Sequence, residues 1–144
     1  MAEVPFYDRV KVETSTTGTG SSVAVGDAVA GYLTPAEAGV QDGAVVNYVI
    51  EDGDNFEFQP EQTYSSTGPS LTRGTPSLSK IAGIVGTTQL PLSGNATVSI
   101  VPLAQQLRTL RGPVNVMDYI PKSEWAAIEA GTSTTDVVSY INAA

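Results

Sequence analysis

The stretch Val45-Val46-Asn47-Tyr48-Val49-Ile50-Glu51-Asp52-Gly53-Asp54-Asn55-Phe56-Glu57-Phe58 decides the fold class. Its first six residues are β-branched or aromatic apart from Asn47, the composition that fits a pleated, half-buried surface. Glu51-Asp52-Gly53-Asp54 then supplies an Asp-Gly step, which favours a two-residue hairpin loop because both residues tolerate positive φ. The return strand places Phe56 and Phe58 on one face. The reading is a β-hairpin, with Asp52, Asp54 and Glu57 as its solvated tip.

Neighbouring segments extend the same theme. Val4, Phe6, Asp8, Val10 and Val12 alternate with Pro5, Tyr7, Arg9, Lys11 and Glu13, a period of two that predicts a strand with one buried face. Residues 14–22 are almost wholly Ser, Thr and Gly and read as a loop or hairpin tip, with a short strand at 22–25. Thr34-Pro35-Ala36-Glu37 followed by Gly39 reads as one helical turn: Thr caps, Pro takes the first helical position, Glu completes a capping box, and Gly stops it. Residues 63–64, 71–73, 81–85 and 96–101 are further short strands. Many short strands between turn signals predict a mainly β domain, a small sandwich or barrel-like unit, over residues 1–101.

The texture changes after Val101. Leu103, Leu107 and Leu110 recur at helical spacing, which predicts a helical linker over 102–113 that ends at Gly112-Pro113. Residues 114–144 read as a strand (114–120) and two short helices (123–131 and 135–144). The last runs to Ala144 without a stop signal, and the expectation is that the sequence continues into a longer protein.

Composition limits the chemistry. The chain has 144 residues with no Cys and no His, which removes disulfides, Cys/His metal sites and His-based catalysis. The formal net charge is −8, and seven Lys and Arg spread over the chain do not make a nucleic-acid surface. No window approaches the ~20 apolar residues needed to cross a bilayer, and the N-terminus has no basic and apolar signal pattern. No cofactor is expected. Residues 13–61 hold nine acidic side chains and no basic one. Asp52, Asp54 and Glu57 fail the calcium-loop pattern, since Phe56 stands where an oxygen ligand belongs. Glu51, Asp52, Asp54 and Glu57 offer carboxylates for glycoside hydrolysis, but acids on a tight turn have no cleft to push their pKa values apart. Tyr48, Tyr64, Tyr119 and Trp125 sit in apolar patterns, so packing in a core or between subunits is favoured over sugar stacking.

Two sets of segments carry a resemblance. The first comprises Asp8-Arg9-Val10-Lys11-Val12-Glu13-Thr14-Ser15-Thr16-Thr17-Gly18-Thr19-Gly20, Ala30-Gly31-Tyr32, Ala36-Glu37-Ala38-Gly39-Val40-Gln41-Asp42-Gly43, the Tyr48 to Glu57 hairpin and Leu71-Thr72-Arg73. In this order they resemble the N-terminal domain of tailed-bacteriophage tail fibre and tailspike proteins. The chain departs from that pattern at Phe58-Gln59-Pro60-Glu61-Gln62-Thr63-Tyr64, where a Gly-rich turn is usual. It departs again at Gly74-Thr75-Pro76-Ser77-Leu78-Ser79-Lys80. The second set, Val114-Asn115-Val116-Met117-Asp118-Tyr119-Ile120-Pro121 with Trp125-Ala126-Ala127-Ile128, Gly131-Thr132-Ser133-Thr134-Thr135-Asp136 and Tyr140-Ile141-Asn142-Ala143-Ala144, is similar to the lead-in of a pectate-lyase-like right-handed β-helix.

The resemblance implies a structural virion protein, not an enzyme. It would be a homotrimer anchoring a host-recognition appendage to the tail through an adaptor, nozzle or baseplate protein. It would be synthesised in the host cytoplasm, with no nucleic-acid partner and no membrane insertion. Bacterial surface polysaccharide would be met only through a C-terminal region beyond these residues. Leu103, Leu107, Leu110, Tyr119 and Trp125 are the candidates for trimer or partner contact. Two alternatives stand beside this reading: a capsid decoration or head-fibre protein, and a small carbohydrate-active module.

Overall fold

A computed structural model describes residues 4–102. They are mainly β: ten strands, β1 (Lys11–Thr14), β2 (Thr17–Gly18), β3 (Ser22–Ala24), β4 (Val45–Asp52), β5 (Asn55–Ser65), β6 (Ser70–Thr72), β7 (Leu78–Ile81), β8 (Ile84–Gly86), β9 (Leu92–Ser93) and β10 (Ala96–Ile100). Eight form one curled antiparallel sheet in the order β1-β10-β4-β5-β6-β3, with β7 on β5 and β8 on β7; β2 and β9 make a separate two-stranded ribbon. No helix occurs among the described residues, and none there is long and apolar enough to cross a membrane. The helices and strand expected within 103–144 lie outside the described residues, as do the domain boundary at 113 and the five contact candidates Leu103, Leu107, Leu110, Tyr119 and Trp125.

The β4–β5 hairpin organises the sheet. Asp52 pairs with Asn55, so the two loop residues are Gly53 and Asp54, one step later than the Asp-Gly reading. Gly53 takes φ +61° while Asp54 is not in the positive-φ region, the arrangement of a turn with Gly at its first central position. Further along, Pro60 and Glu61 together face Asn47: the register passes from Tyr48↔Gln59 to Val46↔Gln62. This is a β-bulge, and Asn47 Oδ1 accepts the Glu61 N–H at 2.7 Å. Pro60, which has no N–H for a ladder, fits there. The bulge switches which residues face inward, from Glu57 and Gln59 before it to Tyr64 after it. It also divides the strand between two neighbours, since Phe56–Phe58 pair with β7 and Tyr64–Ser65 with β6.

The core lies within the curl and gathers Val12, Val46, Tyr48, Ile50, Tyr64, Leu71, Leu90, Ala96 and Val98, all nearly inaccessible. Each fully buried aliphatic side chain stabilises the fold by about 1.5–3 kcal/mol relative to exposure. The helical turn at Thr34 forms as its residues dictate. Thr34 Oγ1 accepts the Glu37 N–H, and Glu37 Oε2 accepts the Thr34 N–H at 2.8 Å. Gly39 closes it at φ +84°, with Val40 N–H on the Pro35 carbonyl and Gly39 N–H on the Ala36 carbonyl, a Schellman closure after one turn.

Three expectations are corrected. The strand predicted from Val4 begins only at Lys11, because Arg9 turns to φ +60° and breaks the extended run. Val4, Val10 and Val12 are buried in phase, but Phe6 is 48% exposed. Residues 81–85 are not one strand but the tip of the β7–β8 hairpin, whose two-residue loop is Ala82-Gly83, both at positive φ. Within 14–22, Thr17–Gly18 pairs with Leu92–Ser93, too short a ribbon to leave a sequence period.

Gly26 marks the closest backbone approach. Its N–H donates to the Glu13 carbonyl at 2.9 Å, and a Cβ placed there would lie 2.6 Å from that same oxygen. Gly26→Ala is expected to destabilise the domain by about 1–3 kcal/mol, read as a lowered midpoint in urea unfolding.

Candidate functional site

The most concentrated chemistry among the described residues is inside the sheet. The alternation Phe56-Glu57-Phe58-Gln59 puts the two rings together on one face, 5.4 Å apart and edge to face. The face turned to the core, however, carries Glu57 and Gln59, both inaccessible. Glu57 is therefore not part of a solvated hairpin tip, as the acidic run suggested; its partner comes from sixteen residues further on. Arg73, at the end of β6, donates from Nε to Glu57 Oε1 (2.7 Å) and from Nη2 to Oε2 (2.9 Å), with both side chains fully buried. This two-pronged geometry is what a guanidinium and a carboxylate form best.

Both partners make further bonds. Glu57 Oε2 accepts the Leu90 N–H (2.6 Å), and Glu57 Oε1 accepts Gln59 Nε2 (3.0 Å). Arg73 Nη1 donates to the Gly18 carbonyl (3.1 Å), and Nη2 donates also to the Leu90 carbonyl. Gln59 closes a reciprocal pair with Gly74, its Nε2 on the carbonyl and its Oε1 accepting the N–H, each at 3.0 Å. Gln89 does the same with Gly20 and reaches the Gly74 carbonyl at 2.8 Å. No buried side-chain nitrogen or oxygen among the described residues is left without a partner. Beside the network, the Tyr48 hydroxyl donates to the Thr72 carbonyl at 2.7 Å. Burial, and then the Glu57 charge, push its pKa well above the usual tyrosine value.

A carboxylate with four donors and no solvent access offers no place for a substrate. The network's chemistry is to tie β5, β6 and the 18–20 and 89–90 loops together. The carboxylates considered for hydrolysis do not converge either. Glu57 faces Ile50 and Glu51 faces Phe56, so the two acids project from opposite faces of the sheet. Glu51 instead pairs with Lys11 at 3.1 Å. Three hydroxyl–carboxylate contacts lie on the surface among the described residues, and each ties down backbone. Asp42 accepts both the N–H and the hydroxyl of Ser66, Asp52 does so from Ser93, and Glu37 does so from Thr34. The Ser66 and Thr34 bonds hold Asp42 and Glu37 below the ordinary carboxylate range. Tyr48 and Tyr64 are core residues.

The described residues also form open grooves, two of which are large. One, of about 330 Å³, is polar and lined by residues including Glu13, Ser15, Asp27 and Asn95. The other, of about 370 Å³, is more apolar and lies between Pro5, Phe6, Tyr7 and Asp8 on one side and Asn47, Ile100, Val101 and Pro102 on the other. Among the described residues no three acidic side chains gather closely enough to hold a metal ion. The sequence reading missed the buried pair. Its signal was a single Arg following an apolar strand residue, Leu71-Thr72-Arg73, after a long stretch without basic residues. No known protein family, curated protein or solved structure matches this chain.

Two outcomes follow for the network. Arg73→Met strands a buried carboxylate and is expected to destabilise by about 3–5 kcal/mol in chemical denaturation, and the Glu57→Gln/Arg73→Met double variant to lose less than the sum of the single variants. For Tyr48 the folded state holds the proton more tightly than the unfolded chain. Its contribution is therefore complete at neutral pH and is lost as pH rises past about 10, where the unfolded tyrosine ionises. Thermal melts of Tyr48→Phe should show a shallower alkaline decline than the parent, from a starting stability about 1 kcal/mol lower.

Proposed function

We propose that this chain is the virion-anchoring region of a phage tail fibre or tailspike, a homotrimer that holds a host-recognition appendage to the tail through an adaptor, nozzle or baseplate protein. The observation that supports the reading is convergence. The segments that carry the resemblance are scattered over some sixty residues of sequence, and in space their polar members bond to one another. Arg73 of Leu71-Thr72-Arg73 closes on Glu57 of the hairpin and on Gly18 of the Thr17-Gly18-Thr19-Gly20 loop. Tyr48 of the hairpin bonds the Thr72 carbonyl. Arg9 of Asp8-Arg9-Val10 donates to the Gly31 carbonyl at 2.9 Å and lies over the Tyr32 ring, 5.1 Å from its centre. A pattern of this kind specifies a scaffold rather than a reaction.

The surface suits docking. The charged groups with the tightest geometry are consumed in fold contacts, while Phe6 and Leu78 stand exposed. Large apolar side chains held out on a rigid sheet are the usual currency of protein association. In this reading the domain grips its neighbours through such groups and leaves host recognition to other parts of the appendage.

The test is the position of the chain in an intact particle. Cryo-electron microscopy of virions, with an antibody fragment raised against residues 4–102 as a marker, should place it at the tail with local three-fold packing. Marker density on the capsid lattice, or none on the particle, would overturn the assignment.

A further inference from the structure

The β7–β8 hairpin ends one branch of the sheet in an edge that nothing among the described residues covers. The opposite end of the sheet is protected: β1 is hydrogen-bonded along its outer side to the 26–33 loop, with Glu13 N–H on the Asp27 carbonyl, Val29 N–H on the Lys11 carbonyl and Lys11 N–H on the Leu33 carbonyl. β8 bonds only to β7. It also lacks the usual guards of an edge strand, having no charge, no proline and no bulge over Ile84-Val85-Gly86. Ile84 is 75% exposed and Val85 64%, and successive strand residues point to opposite faces.

The register fixes what this edge offers. Ile81↔Ile84 closes the two-residue loop as the hydrogen-bonded pair, so the next pair, Lys80↔Val85, is non-hydrogen-bonded. The Val85 N–H and C=O therefore point away from β7, outward from the sheet. An antiparallel partner centred on Val85 would take both bonds at once.

We infer that the partner is a second copy of the same edge: β8 pairs antiparallel with β8 of another chain about a two-fold axis at Val85. Three observations select it. With Val85 opposite Val85, Ile84 of each copy comes to lie opposite Gly86 of the other, a bulky side chain over an absent one. Gly86 is otherwise unaccounted for: its φ is not positive, and a Cβ there would meet nothing within 4 Å in its own chain. A strand glycine with no local reason marks the approach of another group. Finally, residues 62–117 contain no acidic side chain in a chain of net charge −8, so this hairpin is where two copies can meet with least repulsion. A two-fold pairing consumes this edge in both copies, so the contact closes on itself rather than running on into a fibre.

The surface covered is on the order of 300–400 Å² per copy, below the ~800 Å² per partner of a stable complex, so the association is weak and appears at high concentration. It is separate from the proposed three-fold contact, which needs a different surface. Sedimentation equilibrium of the full chain, up to roughly 1 mM, tests both. The parent chain should reach twice the mass of Gly86→Val, whose thermal midpoint is not lowered because the new side chain enters open space. Val85→Cys, the sole thiol in the chain, should give a two-chain product with a short bis-maleimide, and adding Gly86→Val should suppress it. A Gly86→Val variant at three-chain mass would keep the trimer and one at one-chain mass would remove it, in either case leaving the edge pairing to the doubling. Equal masses for parent and Gly86→Val, or no cross-linked product from Val85→Cys, would overturn the pairing.

Discussion

A carboxylate and a guanidinium enclosed together inside a small β-sheet impose an all-or-none constraint. Neither Glu57 nor Arg73 can be buried without the other, because an isolated charge in that environment is penalised far more than the pair. The pair alone would not suffice either. It persists because Leu90, Gly18 and Gln59 supply the remaining donors and acceptors. The requirement fixes where two loops must run: residues 18–20 and 89–90 are held against β5 and β6 by side chains rather than by long strand ladders. A buried ion pair is a weak source of net stability; what it gives here is a unique arrangement of otherwise featureless Ser-, Thr- and Gly-rich segments.

The bulge at Pro60-Glu61 makes this possible. Without it, a strand that turns Glu57 and Gln59 inward would present Glu61 and Thr63 to the core and Tyr64 to water. The extra residue reverses the phase, so one eleven-residue strand delivers a polar network at one end and an aromatic core residue at the other. Asn47 secures the bulge by accepting the stray N–H. The hairpin thus serves as the frame to which the rest of the sheet is fitted.

Much of this was legible in the residues. The β4–β5 hairpin, the capped turn at Thr34 and the short strands at 22–24, 70–72 and 96–100 follow from local chemistry, because their signals are turn residues and alternation within a few positions. What could not be read locally was which face of Phe56-Glu57-Phe58-Gln59 lies inside. Alternation alone favours the rings; the choice is made by Arg73 and Leu90, sixteen and thirty-three residues away. The same limit hid the β7–β8 hairpin: Ile81-Ala82-Gly83-Ile84-Val85 looks like one apolar strand until Ala82 and Gly83 both turn to positive φ. The acidic run was visible as composition, yet its members do different work. Glu37, Asp42 and Asp52 bind loop backbone, Glu51 pairs with Lys11, and Glu57 is internal. The proposed role follows the same division, with motif residues building the scaffold and the less patterned surface meeting partners.

Native-state hydrogen exchange at two backbone amides probes the central constraint most directly. The Leu90 N–H, bonded to Glu57, and the Gly74 N–H, bonded to Gln59, both lie outside any strand. If the buried network holds these loops as part of the core, they should exchange only through global unfolding, with the same free energy as Ile50 in the middle of β4. Exchange at rates typical of exposed loops, while Ile50 stays protected, would show that the loops open independently and that the ion pair does not organise the fold.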